Sequence, residues 1–160
     1  MEILDEIAPL LNSLAASSHV YASWGATTKA TVAEEVFDLV VVAQDDRAHQ
    51  ADAGAVGPAS AREIEAALRP VDVEGAVKLM TNLSAFDLVY SRSLLRDRDH
   101  AERAATRVAK LLGRSTSWVT NTEGMGNGRA WTPVTRHGID VVVAGTTAEF
   151  FVILLALGDD

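Results

Sequence analysis

The spacing of hydrophobic and polar positions changes along this chain. Up to about residue 112 apolar side chains recur every three or four positions, and from Ser115 onward every two. Ile3, Ile7, Leu10 and Leu14 form an amphipathic stripe over residues 2–16, with Pro9 expected to kink the helix or mark its start. In SSHVYASWG, residues 17–25, Val20, Ala22 and Trp24 alternate with His19, Tyr21 and Ser23, a pattern open to a short strand or a packed loop. TVAE at 31–34 matches a capping box, in which hydroxyl and carboxylate satisfy orphan backbone N–H groups. The helix it opens holds an unbroken apolar run at 39–43, which predicts a central helix buried on most sides. SARE at 60–63 is a second capping box, opening a short helix that Arg69 and Pro70 should stop. Asp72 can cap a helix carrying Val73, Val77, Met80 and Leu83. A further helix, capped by Asp99, should run through Leu112 and end at Gly113.

The densest β-forming run is IDVVVAGTTAEFFVILLAL, residues 139–157. A two-residue turn at Thr146 and Thr147 would set Val143 opposite Phe150 and Val141 opposite Val152 on one face. The other face would carry Val142, Phe151, Ile153 and Leu155. STSWVTNT and RAWTPVTR, joined by the glycine-rich 123–128 segment, read as two preceding strands that bring Trp118 and Trp131 to that second face. The expected fold is therefore α+β: about four or five N-terminal helices packed on a C-terminal four-stranded antiparallel meander. Residues 1–160 read as a single domain, mainly helical over 1–113 and β-meander over 114–160.

Composition narrows the function classes. The chain has 160 residues, 48% hydrophobic and 22% charged, with no cysteine, so disulfides and thiolate–zinc sites are excluded. The net charge of −8 speaks against nucleic-acid binding. No apolar run reaches the length of a membrane span, and the acidic start lacks the basic region of a secretory signal, so a soluble, cytoplasmic protein is expected. Arginine-over-lysine usage in an alanine-rich chain points to a bacterial source. The charge is uneven: residues 1–75 hold four basic and thirteen acidic side chains, whereas Arg96, Arg103, Arg107, Lys110 and Arg114 form a basic stripe at helical spacing. That stripe reads as a solvated face, or as a docking site for an acidic partner or the acidic N-terminal half.

Candidate chemistry is sparse. Asp45, His49 and Asp52 share a helical face, and Asp97, Asp99 and His100 cluster loosely, but neither set completes a metal site, and no metal or cofactor is expected. Asp140 and Glu149 on adjacent strands have the outline of a nuclease acidic pair without its lysine. His137 reads as a turn residue, and no catalytic residue is assignable. What remains is the second sheet face: Trp118, Trp131, Val142, Phe151, Ile153 and Leu155. An uncovered apolar face of that size marks an interface or a ligand groove. The expectation is a binding or regulatory module acting through protein contacts, as a homodimer or with another protein. The alternative is a small-molecule site or unfamiliar enzyme, with its pocket between helix 31–50 and the sheet or over Trp118 and Trp131. The face could also be closed by residues 17–30 or by a helix of the same chain.

Overall fold

The computed structural model describes residues 2–17, 19–29, 31–46, 60–85, 97–122, 134 and 139–158. Among them are five helices and five strands, in the order α1 (Glu2–Leu14), β1 (Val20–Ala26), α2 (Val32–Asp46), α3 (Ala61–Ala67), β2 (Arg69–Val71), α4 (Val73–Ala85), α5 (Arg98–Leu112), β3 (Ser117–Thr120), β4 (Ile139–Thr146) and β5 (Phe150–Gly158). The strands form one antiparallel sheet in the order β1-β5-β4-β3-β2, giving an α+β architecture. No described helix is long and apolar enough to cross a membrane.

The sheet is not the expected meander. β3 pairs directly with β4, Trp118 opposite Gly145 and Thr120 opposite Val143, and the expected strand RAWTPVTR lies, apart from Val134, outside the described residues. The helical half supplies both margins of the sheet, β1 beside β5 and β2 beside β3. The β4–β5 hairpin turns two residues later than Thr146 and Thr147 would have it. Thr146 pairs with Phe151, and the Thr147 N–H donates to the Phe150 carbonyl at 2.8 Å. The Thr147 hydroxyl accepts the N–H groups of Glu149 and Phe150, a side-chain bond that closes the turn over Ala148 and Glu149. Each β4 residue thus meets a partner four positions further along β5 than expected: Val143 faces Leu154, not Phe150. Four is even, so the division of side chains between the two faces survives.

Both faces are covered by the chain itself. On one, Val141, Val143, Val152 and Leu154 pack with Ile7 and Leu11 of α1, Met80 and Leu83 of α4, and Val108 of α5. Alanines 101, 104, 105 and 109 give α5 a slim inner side, which lets α1 and α4 approach closely. On the other, Val142, Phe151, Ile153, Leu155 and Leu157 pack with Val36, Val40 and Ala43 of α2 and Ile64 and Ala67 of α3. Burying each such side chain contributes roughly 1.5–3 kcal/mol, enough to hold two helices against this face. α2 is not enclosed on all sides as its apolar run suggests, because Val41 and Val42 face outward.

The helix boundaries follow local chemistry. Thr31 accepts the Glu34 N–H and Asp72 the Gly75 N–H, as their spacing implies. Ser60 makes no side-chain cap bond, and α5 is capped by Asp97 through the Asp99 N–H, not by Asp99. α5 ends at Gly113, whose φ of +90° suits a residue without a Cβ. Pro9 lies inside α1 without ending it.

Candidate functional site

β2 runs into α4 with Asp72 alone between them, and α5 lies along α4. Between these elements and β3 opens a cleft of about 780 Å³. Its apolar lining is Val71 from β2, Val73 and Val77 from α4, Ala109 from α5 and Trp118 from β3. Trp118 belongs here because its pairing with Gly145 points it to the α4–α5 side, with Val141 and Val143. It packs flat on Gly145: a Cβ at that position would lie 2.6 Å from the indole ring.

The charged side chains around the cleft are unequal in their commitments. Of the acids, Asp72 is engaged by the α4 N-terminus and Glu102 by Arg98 at 3.0 Å, which leaves Glu74. Of the cations, Lys78, Lys110 and Arg114 have no ion pair or hydrogen bond among the described residues. The cleft therefore offers an apolar bed with uncommitted positive charge above it. Along the outer side of α5 a depression of about 460 Å³ adds Arg103 and Arg107. Arg107 reaches Glu6 of α1 at 3.3 Å, so part of the basic stripe does meet the acidic N-terminal half.

The residues singled out from sequence fall in different places. Val142, Phe151, Ile153 and Leu155 are interior, under α2 and α3, which corrects the expectation of an uncovered face. Trp118 is on the opposite face from them, and Trp131, His137 and His49 lie outside the described residues. Asp45 is exposed near the end of α2. Asp140 is fully buried and accepts from Asn121 Nδ2 at 2.8 Å and from the Val134 N–H at 3.1 Å. Asn121 in turn accepts the Val142 N–H at 2.9 Å, so Asp140 and Asn121 stitch the end of β3 to β4. Glu149 lies in the turn at the far end of the hairpin from Asp140, and the acidic pair does not form. No three His, Asp or Glu side chains among the described residues converge as metal ligands. Ser13 Oγ and His100 Nε2 meet at 3.3 Å, but exposed and outside both depressions. Lys78 and Val71 carry no motif, and sequence reasoning missed them; only the basic stripe pointed toward this region.

No protein-family model, curated protein or solved structure matches this chain.

Proposed function

We propose that the protein is a binding module whose ligand is an anionic amphipathic small molecule held in the α4–α5 cleft. The observation that carries this reading is the trio Lys78, Lys110 and Arg114, without an ion pair among the described residues, around a bed of Val71, Val77, Ala109 and Trp118. A volume of about 780 Å³ lies within the roughly 300–1,000 Å³ common to ligand pockets. An apolar body on Trp118 would gain the burial energy, and a carboxylate or phosphate among the cations would gain charge-assisted hydrogen bonds. This is the small-molecule reading of the sequence, taken with the pocket beside Trp118 and not with the one between helix 31–50 and the sheet. A homodimer through Phe151 and Ile153 is not part of it, because α2 and α3 occupy that face.

The test pairs two ligands of equal body and opposite charge. Decanoate should bind and decyltrimethylammonium should not, by isothermal titration well below their micelle concentrations. The double variant Lys110→Glu, Arg114→Glu should weaken decanoate by roughly tenfold or more, the scale of one charge-assisted bond. Equal binding of both ligands, or a double variant that binds normally, would refute the proposal.

A further inference from the structure

The two margins of the sheet are built differently. β2 is three residues long, and Pro70 at its centre has no N–H to offer another strand. β1 is seven residues long and holds neither a proline nor a charged side chain. The Leu157 N–H bonds the His19 carbonyl and the Thr27 N–H bonds the Glu149 carbonyl, both at 2.9 Å, so odd-numbered residues from 19 to 27 face β5. The backbone groups of Ala22, Trp24 and Ala26 consequently point away from the sheet. No described strand lies on that side.

We infer that this margin accepts an extended, cationic segment of a partner protein as a sixth strand. The charge follows from α2, which overhangs β1. Asp46 accepts from the Tyr21 hydroxyl, and Asp38 pairs with Lys29 just beyond the strand. On that flank Glu35, Leu39, Val42 and Asp46 recur at helical spacing. Glu35 is only 7% exposed, and its Oε1 has no hydrogen-bond partner among the described residues. A carboxylate oxygen removed from water without a donor is costly, and a lysine or arginine on an added strand would supply that donor. Val42, 60% exposed on the same flank, offers the segment apolar contact. A second copy of the chain fits poorly. Two-fold pairing of β1 with itself would bring each α2 beside its twin, and residues 1–75 hold four basic against thirteen acidic side chains.

The inference is independent of the α4–α5 cleft, which lies toward the other margin. The probe is a capped heptapeptide of alternating lysine and valine carrying a fluorophore, with its glutamate–valine counterpart as control. The lysine peptide should bind by anisotropy, and its binding should slow amide exchange at Ala22, Trp24 and Ala26. Ala22→Pro removes an outward N–H that the fold does not use, so the variant should keep its circular dichroism and lose the peptide. Glu35→Gln should weaken the peptide by roughly tenfold while leaving thermal stability equal or higher. If Ala22→Pro does not fold, the exchange pattern of the wild type decides instead. Equal binding of the glutamate peptide, unchanged exchange, or a folded Ala22→Pro variant that still binds would overturn the inference. So would a low-micromolar dimer that Ala22→Pro turns into a monomer, since β1 would then serve a second copy.

Discussion

Gly145→Ala is the smallest change that should disturb both the core and the cleft. The added Cβ would approach three carbons of the Trp118 six-membered ring, at 2.6, 2.8 and 2.8 Å. Gly145 does not have a positive φ, so the cost is steric and not conformational. Trp118 is 5% exposed and packed among α4 and α5 residues, and its relief is to swing toward the cleft. Overpacking of this kind costs roughly 1–3 kcal/mol. Trp118→Leu alone should cost less than the roughly 3–5 kcal/mol of a tryptophan-to-alanine change, since leucine keeps part of the buried area. In the double variant the methyl group no longer meets a ring, so the Gly145→Ala penalty should largely vanish. Urea unfolding of the two single variants and the double would then give a coupling of about 1–3 kcal/mol with unchanged m values. Additive losses would show that the indole does not pack on Gly145, and would remove Trp118 from the cleft as well.

Three further outcomes follow from the packing. Phe151→Asp should unfold the protein outright, because it puts an unpaired charge under α2; a cooperative, folded variant by near-ultraviolet circular dichroism would mean the face is open after all. Asp140→Ala removes the carboxylate that accepts from Asn121 Nδ2 and the Val134 N–H, leaving Asn121 Nδ2 the longer bond to the residue-140 carbonyl, and should cost roughly 1–3 kcal/mol in urea unfolding, with Asp140→Asn costing less. A null effect of Asp140→Ala would deny the stitch between β3 and β4. Asp72→Ala should cost about 1 kcal/mol as a lost cap, whereas Arg107→Ala should cost under about 1 kcal/mol because its pair with Glu6 is exposed, and the reverse order in thermal melts would contradict both assignments.

Much of the fold was legible where side chains alternate densely. Between residues 139 and 157 the odd–even pattern assigns Val141, Val143, Val152 and Leu154 to one face and Val142, Phe151, Ile153 and Leu155 to the other, whatever the exact turn. The register was not legible, because Thr147 closes the turn with its hydroxyl and a threonine pair gives no hint of which one does so. β1 was ambiguous because VYASWGA takes its strand character from pairing with β5, over a hundred residues away, more than from its own β-formers. The run at 39–43 exaggerated the burial of α2, since Val41 and Val42 share none of the stripe made by Val36, Val40 and Ala43. The cleft was hidden for a different reason. Val71, Lys78, Lys110 and Trp118 come from four elements, and only the sheet order brings them together.

The position of β5 inside the sheet, between β1 and β4, bears on how the chain acquires its fold during synthesis. β1 is made early, yet its partner is the final strand, and β4 also leans on that strand. At roughly 5–20 residues per second, β1 waits on the order of ten seconds before residues 150–158 leave the ribosome. Throughout that interval the nascent chain can form its helices and the short β2–β3–β4 pairing, but α2 and α3 have little sheet to rest on. Folding should therefore wait for β5, limited by a contact of high sequence separation, and a chain halted before Phe150 should be a protease substrate instead of a smaller folded protein.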